Sequence, residues 1–195
     1  LALRGLPVSH LLNGYPRRLD RERFLLGYAL IDGRFANPTP ADLYQVGQLL
    51  GHLHQLLRKL PWSDAIRVRS RDRDRHFDDL RSQQLAQNTL PEALLAVLDD
   101  TSTDLDTTHA QAIHGDLNIG NLMLREPGSQ SVLLDFEDTV HNWHSPAVDL
   151  AMALERLVLV REVDDDSASA AGEALLRGYR VTAPSLQTSQ DGTQI

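Results

Sequence analysis

The chain has no cysteine, which removes disulfide scaffolds, zinc–cysteine sites and thiol catalysis at once. It has one lysine, Lys59, so 18 of its 19 basic residues are arginines. Aromatic residues make up only 5% of it. No hydrophobic run approaches the roughly 18 residues of a membrane span. The best stretch, 150–160, is broken by Glu155 and Arg156. Positive charge is outnumbered 27 to 19, for a net charge of −8, the opposite of the bias expected of a nucleic-acid binder. What remains is ordinary: 195 residues, 42% hydrophobic and 24% charged, enough for one sizeable core. No signal peptide is visible, and the expected setting is the cytoplasm, with neither membrane nor nucleic acid as partner. Nothing in the composition bears on oligomeric state.

The first 20 residues mix apolar pieces with Gly5, Pro7, Gly14 and Pro16 and read as loop. Arg23 to Ile31 is a compact apolar run before Asp32-Gly33, expected as a strand and turn, and Phe35 to Pro38 as a linker. Thr39-Pro40 starts a helix by cap and first-turn proline. Leu43, Val46, Leu50, Leu53, Leu57 and Leu60 then form one buried stripe ended by Pro61, and Gly47 and Gly51 permit close approach of a neighbour. Arg67 to Asp79 alternates in charge and reads as a solvated surface segment rather than an anion site. Further helices are expected from Phe77 and from Pro91 to Leu98, with a polar loop over Asp99 to Thr108. Asn121 to Leu124 and Ser131 to Leu134 read as a hairpin around Glu126-Pro127-Gly128. Ser145-Pro146 opens a long helix, and a last helix runs from Ser167 to Arg180.

The chemistry concentrates in HGDLNIGNLML and VLLDFED. Asp116 lies in a loop, Asn121 five residues on at a strand start, and Asp135 at the end of the paired strand. A hairpin makes Asn121 and Asp135 neighbours, with Asp116 close by. Amide and carboxylate oxygens in that arrangement suit Mg²⁺. A further carboxylate can accept a proton from a hydroxyl. That is the equipment of phosphoryl transfer. His54 reads as a satisfied helix histidine. His141 and His144 beside Trp143 read as loop residues in preference to metal ligands. Glu137 and Asp138 read as solvated or capping groups, with assistance to a metal or substrate the alternative.

The segment His114 to Asn121 resembles the HGDxxxxN signature of aminoglycoside phosphotransferases and choline-kinase-like enzymes, small-molecule kinases. Leu134 to Asp138 resembles their metal-binding segment, and Ser145 to Ala151 the helix start that follows it. Leu50 to His54 is similar to their Leu-x-x-Leu-His helix ending, and Ala29 to Gly33 to the hinge strand. The resemblance implies an α+β, protein-kinase-like fold: a mostly α-helical C-terminal lobe with a small β-hairpin. It implies ATP and Mg²⁺ as cofactors and a small-molecule hydroxyl acceptor. It makes Asp116 the catalytic base, Asn121 and Asp135 the metal ligands, and His114 and Asp149 structural supports. Backbone groups of Tyr28, Leu30 and Ile31 would meet the adenine.

The sequence departs from that family at its start. No glycine-rich loop, strand lysine or helix glutamate precedes the hinge-like segment, and Lys59 falls beyond it. The expected division is therefore 1–37 as a remnant of the N-terminal lobe and hinge, that lobe being largely missing, and 38–195 as the C-terminal lobe. A fragment of a longer kinase is the favoured account of Leu1, over a naturally short homologue. Two alternatives stay open: a catalytically inactive binding module of kinase-like fold, and a metal-dependent phosphohydrolase built from His114, Asp116 and Asp135. An acidic total is compatible with a cationic acceptor such as an aminoglycoside or choline, but sugars and amino alcohols fit equally well.

Overall fold

A computed structural model describes residues 8, 9, 11–61, 63–87, 109–125, 131–160 and 164–183. In chain order the strands are β1 (Arg17–Arg18), β2 (Phe24–Leu25), β3 (Arg34–Phe35), β4 (Gln111–Ala112), β5 (Leu122–Leu124), β6 (Val132–Leu133) and β7 (Trp143–His144). The helices are α1 (Pro40–Leu57), α2 (Ser63–Gln87), α3 (Ala147–Leu154) and α4 (Asp165–Thr182). A π-helical turn, Glu155–Leu159, continues α3. The architecture is mixed, four described helices with three small antiparallel sheets. No helix among the described residues is long and apolar enough to cross a membrane.

The core is built on α1. Its stripe Leu43, Val46, Leu50, Leu53 and Leu57 is buried, and Thr39 caps it by accepting the Asp42 N–H. The helix ends at Leu57, before Pro61, because the 57–60 turn tightens and Leu60 N–H bonds to Leu57 O. Helix α4 lies against α1 at backbone distance. A β-carbon on Gly47 would strike Leu175 O, and one on Gly178 would strike Tyr44 O. The acidic run 164–166 supplies the α4 cap: Asp164 Oδ1 accepts from Ser167 N at 2.9 Å.

The site-bearing sheet has the order β3-β5-β6, with Arg34 opposite Leu124 and Leu122 opposite Leu133. Val8 adds a bridge to Leu133. The expected hairpin is present in β5 and β6, while its turn and the expected 91–98 helix and 99–108 loop lie outside the described residues. Arg34 ties the sheet to α1 by a two-pronged pair with Asp42, at 2.5 and 2.7 Å, and Asn37 N–H adds a third bond.

Three expectations need correction. The apolar run Arg23 to Ile31 is not one strand: β2 covers two residues, and Leu30 is 98% exposed, so the run finds no sheet to bury it. Phe35 is strand rather than linker, because β3 pairs with β5. The charged segment from Arg67 is solvated as expected, exposed except at Ser70, Arg73 and Asp74, but it is helical throughout, and α2 begins at Ser63 rather than Phe77. Arginine favours helix, and pairs such as Arg67–Asp64 and Arg75–Asp72 sit one turn apart. Ile66 and Ser70 are its buried contacts, too sparse a stripe to be seen as apolar periodicity.

Candidate functional site

The HGD loop follows β4, which pairs with β7 and so enters beneath Trp143. Gly115 takes φ +86°, a left-handed conformation that favours glycine, and a β-carbon there would overlap the Asn142 amide. Asn142 is fixed from two sides: its Nδ2 donates to Asp138 O at 2.7 Å, and its Oδ1 accepts from Arg73 Nη1 at 2.6 Å. Arg73 also meets His144 Nε2 at 2.9 Å, so α2 supports the loop from outside.

Asp149, in the first turn of α3, holds the loop from inside. It is fully buried. Oδ2 accepts from His114 N at 2.8 Å and from His54 Nε2 at 2.9 Å, and Oδ1 accepts from Gly115 N at 2.9 Å. Burial alone would raise its pKa. The hydrogen bond from His54, with the two backbone donors, outweighs burial and holds it below the usual carboxylate range. With Nε2–H given to the carboxylate, His54 Nδ1 accepts a hydrogen bond from the Tyr179 hydroxyl at 3.0 Å. Burial pushes the Tyr179 hydroxyl far above its ordinary pKa, so it stays a donor. One buried chain thus joins α4, α1, α3 and the loop.

His114 is bonded at every polar atom. Its N–H goes to Asp149, its carbonyl accepts from Thr139 Oγ1 at 3.2 Å, and its Nε2 donates to Leu134 O at 2.8 Å. That leaves Nδ1 to accept the Asp116 N–H at 3.3 Å. The ring lies tilted against Phe136, with centroids 4.8 Å apart.

Asp116 is half-buried. Its Oδ2 accepts from Asn118 Nδ2 at 3.1 Å and Asn121 Nδ2 at 3.3 Å, and Asn121 also donates to Asp116 O at 2.9 Å. Its Oδ1 is paired with Arg156 Nη1 at 2.5 Å. The Arg156 hydrogen bond is the main reason its pKa is lowered, against a smaller opposing effect of burial. Asp116 is therefore a carboxylate across the neutral range.

Asn121 O accepts the Leu134 N–H at 3.0 Å, and Leu134 O accepts from His114 Nε2, so the backbone just before Asp135 is bonded to the segment that carries Asp116 and Asn121. Asp135 is exposed and takes φ +59°, rare for a residue with a side chain. Among the described residues neither its carboxylate nor the Asn121 Oδ1 has a recorded hydrogen bond. Two hard oxygen donors left uncommitted fit Mg²⁺, which commonly takes one or two protein ligands and leaves the rest to water and phosphate. Among the described residues no three His, Asp or Glu side chains converge on one point, so no all-protein metal cage is present there.

The remaining candidates, Tyr28, Leu30 and Ile31, make no hydrogen bond to the Asp116 segment among the described residues. Tyr28 bridges Leu11 and is half-exposed, and Leu30 projects into solvent. The segment is linked to the site through Asp32 O, which accepts from Arg125 Nε at 3.2 Å, and then through β3. Sequence reasoning missed Asn118, Arg156 and the pairing of His54 with Asp149. Asn118 had a local signal, an Asx residue two before Gly120, whose N–H it accepts at 2.8 Å. Arg156 had none, lying 40 residues from its partner.

Comparison with known families adds one finding: the profile of the phosphotransferase enzyme family matches residues 5–185. A comparison with curated proteins finds no match.

Proposed function

Since the chain belongs to the phosphotransferase enzyme family, we propose that it transfers the γ-phosphoryl group of ATP to a hydroxyl of a small molecule. The observation that supports this reading most is the Asn121 amide bonded to the Asp116 carboxylate, in a segment whose backbone is tied to Leu134, the residue before Asp135. In this reading the fold is protein-kinase-like, with 38–195 the lobe that carries the chemistry and 1–37 the hinge side. Tyr28, Leu30 and Ile31 present backbone groups to the adenine.

Asp116 is the base. It accepts the acceptor's hydroxyl proton as that oxygen bonds to the γ-phosphorus, while the bond to the β–γ bridging oxygen breaks and ADP leaves with those electrons. Asn118 and Asn121 keep the carboxylate aimed by holding Oδ2. Asn121 and Asp135 would hold Mg²⁺, which neutralises phosphate charge when bound. His114 and Asp149 do no chemistry. They fix the loop so that the base is already in place, and such positioning is a large part of what phosphoryl transfer requires.

The test is Asp116→Ala assayed for ATP-dependent phosphorylation across a panel of hydroxyl compounds. The expected outcome is loss of at least ~100-fold in kcat with the circular dichroism spectrum and melting curve retained, the scale of general-base catalysis. Turnover within a few-fold of the parent removes Asp116 from the role. Phosphoester hydrolysis without ATP would favour a phosphohydrolase instead.

A further inference from the structure

The base is already engaged on both oxygens. Asn118 and Asn121 take Oδ2, and Arg156 takes Oδ1. An acceptor hydroxyl approaching Asp116 therefore meets a guanidinium. Arg156 stands on the π-helical turn Glu155–Leu159, a distortion often found at functional sites. Its neighbours Leu157 and Val158 are buried, so the backbone beneath it is anchored while its side chain reaches the loop and stays 38% exposed.

A guanidinium carries five N–H donors. Among the described residues the recorded bonds of Arg156 all use Nη1, to Asp116 Oδ1 and, at 3.4 Å, to Leu117 O. The planar fork is suited to gripping a carboxylate or phosphate by two parallel bonds. The pair also cancels the charge by which Asp116 would attract an ammonium group. A cationic acceptor would lose that attraction and face Arg156 at short range, whereas an anionic one would be drawn to it.

We propose that the acceptor is a hydroxyl compound bearing an acidic group, carboxylate or phosphate, which Arg156 binds beside Asp116. The assignment rests on the phosphotransferase reading and narrows it: Arg156 selects the acceptor and delivers its hydroxyl to the base.

Two measurements on the full chain test it. In the first, arginine Nε–H NMR signals are followed during addition of glycolate or inorganic phosphate, with chloride as the ionic-strength control. The Arg156 signal, identified by its loss in Arg156→Gln, is expected to move saturably with the two oxyanions and not with chloride. A flat response, or one that chloride reproduces, overturns the proposal. In the second, ATP consumption is compared across acidic, neutral and cationic hydroxyl compounds. The expected result is preference for acidic ones, with Arg156→Gln raising their KM about tenfold and changing kcat less. Preference for a cationic or neutral compound overturns it. Turnover of no compound at all counts against the phosphotransferase reading, and the NMR response then decides whether Arg156 is an oxyanion site.

Discussion

Asp149→Asn isolates the buried chain that holds the HGD loop. The native carboxylate accepts three hydrogen bonds, from His54 Nε2, His114 N and Gly115 N. A carboxamide is nearly isosteric but has only one acceptor oxygen. Placed where Oδ2 is, that oxygen keeps His54 and His114 and turns an NH₂ group toward the Gly115 N–H. One buried donor loses its partner and faces another donor, a cost of about 1–3 kcal/mol. Asp149→Ala would strand all three donors and leave a void, about 3–5 kcal/mol by analogy with other broken buried pairs. Against a typical total of about 5–15 kcal/mol, the alanine variant is near the edge of folding and the asparagine variant is not. The measurement is urea unfolding followed by circular dichroism, with the slope unchanged and the midpoint lowered. Acid supplies a second check. The folded pKa of Asp149 is depressed, so its stabilisation is fully present above the unfolded carboxylate value of about 3.9 and is lost as pH falls through the lower folded value. The gap between parent and Asp149→Asn is therefore expected to be constant above about pH 5 and to shrink toward pH 3. A variant within about 0.5 kcal/mol of the parent, or a gap that does not close in acid, would refute the reasoning.

Gly47→Ala is expected to destabilise by about 1–3 kcal/mol, since its methyl group meets the Leu175 carbonyl of α4 rather than a movable side chain. A melting temperature equal to the parent's would show that the two helices can separate without cost. Asp135→Asn is expected to weaken Mg²⁺–nucleotide binding by about 10-fold or more through loss of a charged ligand, with little change in stability because the side chain is exposed. Titration calorimetry at varied Mg²⁺ reads it, and unchanged metal dependence removes Asp135 from the metal role.

The parts of the fold legible in the sequence are those governed by local rules. Thr39-Pro40 and a regular leucine stripe announce α1, and Gly47 and Gly51 announce that something lies close, though not that it is α4. The β5–β6 hairpin follows from two short apolar runs around a turn. Helix α2 escaped because its buried face is carried by Ile66 and Ser70 alone, with Arg73 half-buried, too little apolar periodicity to stand out among exposed charges. The run through Leu30 misled in the opposite direction, since apolar residues there remain exposed. In the site, the spacing of Asp116, Asn121 and Asp135 is a local signal. The groups that aim them are not local: His54 comes from α1, Asn142 from the turn before β7, and Asp149 and Arg156 from α3 and its π-helical continuation, and of these only Asp149 is legible as a support, through the motif at the start of α3.

That division has a consequence for charge. The net −8 of the chain is compatible with a cationic acceptor but equally with a neutral one. At Asp116 the relevant quantity is the field within a few ångströms, where Arg156 lies 2.5 Å from Oδ1 and the total charge of the molecule is screened over a Debye length of about 8–10 Å. Part of the acidic surplus lies in segments such as 164–166, whose lead residue is spent on capping α4. In the proposed reading a single arginine on a distorted turn outweighs the composition, and the acidic-acceptor preference tested above would follow the residue paired with Asp116 rather than the sum over the sequence.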